Sequence, residues 1–174
     1  IRERLDSEVV LIRTIGEYIV GAGGKRMRPA MLLLVAKALG YQGQHHHILA
    51  GVVEFIHTAT LLHDDVVDES DLRRGRSTAN AVFGNAASVL VGDYLYSRAF
   101  EMMVECDSMR AMAVLSGATT IIAEGEVLQL LNVHDPDVSR ERYLQVVRYK
   151  TAKLFEAAAQ VGAILAQATP ELEE

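Results

Sequence analysis

The sequence predicts an all-α fold, and three observations carry that expectation. Only three prolines occur in 174 residues, at positions 29, 136 and 170, so long stretches run without a helix breaker. Strand-like alternation bounded by turn residues is found nowhere, whereas helical spacing recurs along nearly the whole chain. Half the residues are apolar and 23% are charged, with mean hydropathy +0.15. That balance supplies a core for one domain and excludes a disordered chain.

The elements follow in order. Helical spacing first covers residues 3–20. A second helix spans 29–40, with Pro29 suited to a first helical position and Gly40 to its close. Ile48, Val52, Phe55, Ala59, Leu62 and Val66 step by four, three, four, three and four, the apolar stripe of one long helix over 45–69. Residues 70–76 (SDLRRGR) form a charged loop. Helices over 86–105 and 108–131 follow, then a loop over 132–138 that holds Asp135-Pro136-Asp137. Ser139 caps the last helix, 139–168. With no internal repeat, low-complexity tract or linker, residues 1–174 read as one all-α domain or part of one. The chain opens on Ile1 rather than methionine, which reads as a portion of something longer.

Several function classes are excluded. A net charge of −6 argues against nonspecific nucleic-acid binding. Charge-free runs reach only 16 residues, as in 77–92, which contains Asn80, Asn85 and two glycines, so no membrane span is expected. Arg2, Arg4, Asp6 and Glu8 break the first apolar stretch and leave no signal peptide. The single cysteine, Cys106, excludes an internal disulfide, fits a reducing compartment and points to the cytoplasm.

The strongest chemical signal is DDVVD at 64–68. On a helix, Asp64 and Asp68 lie one turn apart on the same face. They repel each other there, near a helix C-terminus whose dipole also disfavours anions. A hard cation removes both penalties, and Mg²⁺ takes one or two protein carboxylates while leaving positions for water and phosphate oxygens. The bland alternative, a solvated acidic helix end, sits poorly with the apolar residues on either side. Two basic clusters complement the aspartates. GGKRMRP at 23–29 sets Lys25, Arg26 and Arg28 just before a helix start, where glycines and free N–H groups suit an anion. Arg73, Arg74 and Arg76 follow the carboxylates, and arginine forks match phosphate oxygens. Either cluster alone could be a solvated basic loop; together, in an acidic chain, they read as phosphate sites.

His57 precedes Asp64 by seven residues and projects from the same face, although a lone helix histidine is more often a packing residue. His45-His46-His47 reads as a solvated helix start, and Cys106 as structural. Met102, Met103, Met109 and Met112 read as core or tunnel lining. Lys150, Thr151 and Lys153 lie in an apolar helical stretch and either face the interior as phosphate donors or snorkel outward. Glu124, Glu126 and Gln129 interrupt the helix over 108–131 and either hold metal-bound water or face solvent. No GxxxxGK[ST] loop is present. Acidic residues for magnesium, basic loops for two phosphate groups and an apolar interior imply an oily substrate with a phosphorylated head.

GGKRMRP, FIHTATLLHDDVVDESDLRRG, FGNAASVLVGD and YKTAKLFEAAA resemble the trans-polyprenyl diphosphate synthases, and IAEGEVLQLLNV resembles the octaprenyl-type members. The resemblance covers essentially the whole chain. It implies an all-α isoprenoid-synthase bundle around a central cavity. The implied reaction is head-to-tail condensation of isopentenyl diphosphate onto an allylic diphosphate, giving a long, octaprenyl-like product. It assigns isopentenyl diphosphate to Lys25, Arg28, His57 and Arg74. Asp64 and Asp68 would hold Mg²⁺ against the allylic diphosphate, which Arg73, Lys150 and Thr151 would also contact. A homodimer and a quinone side chain as the product's fate are further implications. The family's second aspartate-rich motif has no counterpart after Asp137, so the chain corresponds to the N-terminal portion and is expected to be inactive alone.

Product length has its own signature. Thr60 lies one turn below Asp64 and Ala59 beside it; bulky aromatics at such positions block the tunnel in short-chain members, so small residues leave it open. Met102, Met103 and Leu115 are candidates for the far lining. Two rivals remain at this stage. A terpene cyclase also presents an aspartate-rich helix but needs no isopentenyl site, and a non-catalytic partner subunit has no need of an intact DDVVD.

Overall fold

The computed structural model describes residues 2–133 and 135–173, with Arg2 described by its backbone alone. Ile1, His134 of the 132–138 loop and Glu174 lie outside the described residues. The described residues are all-α apart from one small hairpin. Helices α1 (Val10–Gly21), α2 (Met27–Ala38) and α3 (His45–Val67) come first. The hairpin β1 (Leu72–Arg73) and β2 (Arg76–Ser77) follows, then α4 (Ala79–Phe83), α5 (Asn85–Glu105) and α6 (Met109–Asn132). The last elements are α7 (Arg140–Val146), a π-helical segment (Val147–Ala152), α8 (Lys153–Leu165) and α9 (Pro170–Glu173).

The sequence reading lacks the short helices α4 and α9, and four further elements differ from it. The stretch expected as one helix over 3–20 is a 3-10 turn at Arg2–Leu5 followed by α1. Leu5 is buried and folds onto Gly16, where a Cβ would sit 3.3 Å from its Cδ2, and that reversal interrupts the helix. Helix α2 starts at Met27, so Pro29 occupies the third position, where its missing N–H still costs nothing. Gly40 does close α2: at φ 84° it donates to the Lys37 carbonyl (3.1 Å), while Tyr41 donates to Ala36 (2.9 Å). The 70–76 loop contains the hairpin, in which Arg73 pairs with Arg76 across a two-residue turn at Arg74 and Gly75. Both turn residues are left-handed (φ 54° and 76°), the signature of a type I′ turn. The last expected helix, 139–168, begins as predicted with Ser139 accepting from Arg142 N–H (3.2 Å), then widens into the π segment.

Packing divides the chain into two compact units. The first is Ile1–Arg26 with Glu54–Met102, and the second is Met27–Val53 with Met103–Glu174. The first buries Ile15, Phe55, Ile56, Leu62 and Leu95. In the second, α8 packs on α2 and α6, and Gly162 allows the closest approach: a Cβ there would fall 2.8 Å from the Leu32 carbonyl oxygen. Met103, Leu115 and Leu154 are buried in this unit, whereas Met109, read from sequence as lining, is exposed at the start of α6. By length and composition α6 could cross a membrane, a possibility that the count of charge-free runs missed. Packing against α8 and the π segment buries Ala111, Leu115, Ala118, Ile122 and Gly125 of this helix, while Val127, Leu130 and Leu131 are exposed.

Candidate diphosphate and metal site

The first unit brings Lys25, His57, Asp64, Asp68, Arg73 and Arg74 into one body, along with Ala59 and Thr60. Helix α3 ends at Val67, yet the helical bond continues, with Asp68 N–H donating to the Asp64 carbonyl at 2.7 Å. The two carboxylates therefore keep their one-turn spacing at the helix terminus. Glu69 then turns left-handed (φ 50°), and Ser70 N–H closes back on the Asp65 carbonyl (2.9 Å). Asp64 is half-buried and Asp68 exposed.

Asp65 faces elsewhere. It is 1% exposed and accepts a two-pronged contact from Arg73: Nε at 3.0 Å from each oxygen and Nη2 at 2.8 Å from Oδ1. A buried carboxylate needs such a partner, because desolvation otherwise costs several kcal/mol, on the order of what breaking a buried pair costs. The hydrogen bond to Asp65 holds the Arg73 guanidinium above its ordinary pKa, and the charges of Asp64 and Asp68 add to that effect. Asn80 Nδ2 reaches both the Asp65 and Ser70 carbonyls (3.3 and 3.2 Å), and Thr78 Oγ1 donates to Ser70 (2.7 Å). The hairpin is thus tied to the aspartate-rich end of α3.

The same hairpin is tied to the glycine loop. Arg74 donates to the Gly23 carbonyl, and a Cβ on Gly24 would fall 2.9 Å from Arg74 Nη1. Gly23 and Gly24 are both left-handed (φ 86° and 146°). Tyr18 OH donates to the Ser77 carbonyl at 2.6 Å, and Arg76 Nη1 reaches the Gly21 carbonyl at 3.4 Å. Lys25 is exposed on this loop and His57 is half-buried on α3. The Thr60 hydroxyl donates to the His57 carbonyl (2.8 Å), and Ala59 is fully buried.

The second unit holds Arg28, Met103, Lys150 and Thr151. The Arg28 guanidinium lies over the Phe155 ring, 4.4 Å from its centroid. Lys150 sits in the π segment with Nζ 2.6 Å from Glu126 Oε2, which gives Glu126 an ion-pair role. Glu124 is exposed and borders a cavity of about 740 Å³ together with Ala123, Val127, Leu128 and Tyr149. The π segment rests on Gly125, where a Cβ would fall 2.7 Å from the Lys150 nitrogen. At the start of α3, His46 stacks on His47 and meets Tyr41 edge-on; burial leads the causes that lower its pKa. Cys106 is buried, and Arg110 pairs with Glu173.

Sequence reasoning missed Glu54, His63, Gly92, Gly125 and the π segment. His63 Nε2 lies 3.1 Å from the Val89 carbonyl and 3.3 Å from Asp93, in a notch that exists because residue 92 has no side chain. Periodicity hides these residues because each acts through a contact distant in sequence.

The donor set suits magnesium. Among the described residues no group of three or more His, Cys, Asp or Glu side chains could enclose a metal. Two carboxylates at an accessible helix end, with the third aspartate committed to Arg73, match an ion that completes its shell with water and substrate oxygens.

The family model described as polyprenyl synthetase matches residues 9–174. The chain is 60% identical over 174 residues to the octaprenyl diphosphate synthase of Escherichia coli (strain K12), covering all of this chain and 54% of that protein. It is 51% identical to an all-trans-nonaprenyl-diphosphate synthase (geranyl-diphosphate specific) from Rhodobacter capsulatus, again with 54% of that protein covered. The crystal structure of a polyprenyl synthase from Caulobacter crescentus CB15, complexed with calcium and isoprenyl diphosphate, superposes with TM-score 0.97 at 49% identity. That match covers 99% of this chain and 52% of the other. The chain thus spans about half the length of the relatives it matches, and it belongs to the polyprenyl synthetase family.

Proposed function

We propose that the full-length protein is a trans-prenyltransferase that condenses isopentenyl diphosphate head-to-tail onto an allylic diphosphate, making a long polyprenyl diphosphate. The observation that carries this reading is the cross-linking of an acidic helix end, an arginine hairpin and a glycine loop within one unit. That arrangement sets carboxylates for a metal beside cations for phosphate. Lys25, Arg28, His57 and Arg74 bind isopentenyl diphosphate. Asp64 and Asp68 hold Mg²⁺, which when bound neutralises charge on the allylic diphosphate. Arg73 keeps Nη1 outside its pair with Asp65 and offers it to that diphosphate, and Lys150 and Thr151 serve the same group.

The chemistry asks these residues to stabilise a leaving diphosphate as the allylic C–O bond breaks. Fixed cations are effective there because they need no reorganisation as charge develops. The isopentenyl double bond then attacks the allylic carbon, and a proton is lost from the new unit. Water has to be excluded, since it would trap the allylic cation. A homodimer, a quinone side chain as the product's fate and a cytoplasmic location complete the reading; the buried thiol of Cys106 fits the last.

The test is incorporation of radiolabelled isopentenyl diphosphate by the full-length protein, given an allylic primer and Mg²⁺. Label in a long, chromatographically resolved prenyl chain is expected. Conversion of the primer without incorporation would identify a cyclase instead, and inertness of the protein until a second polypeptide is added would identify a partner subunit.

A further inference from the structure

Helix α3 carries a second buried carboxylate that the reaction outlined above does not use. Glu54 is 3% exposed, and its side chain forms an ion pair with Arg26 of the glycine loop. A buried carboxylate is retained only with a charged, hydrogen-bonded partner, and here that partner belongs to the loop that carries Lys25. Arg26 makes a further contact, donating from Nη2 to the Val20 carbonyl at 2.7 Å. Val20 lies in the last turn of α1, where carbonyls lack helical donors, so one guanidinium closes α1 and anchors to α3.

The backbone shows that this anchor fixes the loop. Gly23, Gly24 and Arg26 all have positive φ, and at 51° the conformation is unfavourable for a side chain such as arginine. Such a conformation persists where surrounding contacts over-determine it, and the two Arg26 contacts do so. Glu54 and Asp65 are eleven residues apart, three helical turns, and so share one face of α3. Each holds one arginine, Arg26 or Arg73, from a different basic segment. His57, Asp64 and Asp68 occupy the neighbouring strip. The helix thus carries the arginine-paired Glu54 and Asp65 on one strip and the residues proposed to meet ligand on the next.

We infer that Glu54 and Arg26 are positioning residues for the isopentenyl diphosphate site, holding the glycine loop so that Lys25 and the Arg74–Gly23 contact meet one diphosphate. This rests on the prenyltransferase reading. The experiment is steady-state kinetics of the full-length protein carrying Glu54→Gln or, separately, Arg26→Lys, with isopentenyl diphosphate and the allylic primer varied in turn. Glu54→Gln keeps the shape and removes the charge; Arg26→Lys keeps the charge and removes the two-pronged reach. Each is expected to raise KM for isopentenyl diphosphate at least tenfold, with KM for the primer changed less than twofold. The double variant Arg26→Gln/Glu54→Gln is expected to be no worse than the worse single variant, because both buried charges leave together.

Unchanged KM for isopentenyl diphosphate in a folded Glu54→Gln protein would overturn the inference, as would equal losses for both substrates. If Glu54→Gln fails to fold, Arg26→Lys decides by the same criteria. Should the wild-type protein incorporate no label, the prenyltransferase reading fails by itself. Calorimetric titration of wild type and variants with inorganic diphosphate then tests the anchor: weaker binding in either variant supports it, and equal binding overturns it.

Discussion

The C-terminal end of α3 and the π segment at Val147–Ala152 each set cations beside carboxylates, and they are built by opposite means. At the end of α3 the structure is held by charge. Arg73 forks onto Asp65, Arg26 pairs with Glu54, Arg74 grips the Gly23 carbonyl, and left-handed residues at Arg26, Glu69 and Arg74 are tolerated in return. In the π segment the structure is held by shape. Gly125 lets the backbone at Lys150 come closer than any side chain would permit, and an ion pair to Glu126 aims the lysine. The first region should therefore fail when a charge is removed and the second when a methyl is added.

The largest expected effect comes from the two aspartates proposed to hold the metal. Asp64→Ala or Asp68→Ala in the full-length protein should lower turnover by about 10²–10³-fold, the range lost when one electrostatic stabiliser of a developing charge is removed. The thermal midpoint should fall less than for a change at Asp65, because Asp64 is half-buried and Asp68 exposed, whereas Asp65 is 1% exposed. Label incorporation and circular dichroism read the two halves of that statement.

Asp65→Asn sharpens the contrast from the other side. It strands Arg73, which is 29% exposed, and should cost about 2–3 kcal/mol of stability, less than a fully buried pair would. Urea denaturation measures it, with a fall in midpoint at constant slope as the expected signature.

Gly125→Ala probes the region held by shape. The added methyl meets the Lys150 nitrogen at 2.7 Å and Tyr149 Cβ at 2.8 Å, so overpacking of about 1–3 kcal/mol should outweigh the gain in helix propensity. Differential scanning calorimetry should show a lowered midpoint. The smallest effect belongs to its control on the same helix. Gly117 has nothing within 4 Å of where a Cβ would stand, so Gly117→Ala should raise stability by about 0.5–1 kcal/mol. Equal responses from the two glycines would remove the argument from shape.

Charge-made features were legible in the sequence because they use residue types that stand out. DDVVD, GGKRMRP and the arginines at 73, 74 and 76 announce themselves at any register, and the stripe from Ile48 to Val66 fixes α3 almost to its ends. Ser139 and Gly40 cap where their chemistry says they should. The division of labour among neighbouring carboxylates was not legible. Asp64 and Asp65 are adjacent letters, yet a 100° rotation on the helix leaves one half-buried and sends the other into a buried pair with Arg73. Glu54 looked like any polar residue in an apolar run, and its meaning depends on Arg26, 28 residues away. The π segment carries no compositional mark; the glycine it packs against lies on another helix. The break between Leu5 and α1 has the same origin, a packing contact with Gly16.

We propose that Asp64 and Asp68 meet the metal while Asp65 is committed to Arg73, and divalent-metal binding distinguishes the two roles. Electron paramagnetic resonance of Mn²⁺, added with inorganic diphosphate to the full-length protein, reports the fraction of metal bound. The account predicts that Asp68→Asn abolishes the diphosphate-dependent bound fraction while Asp65→Asn retains it at temperatures where that variant is folded. Loss of binding in Asp65→Asn together with wild-type binding in Asp68→Asn would contradict it.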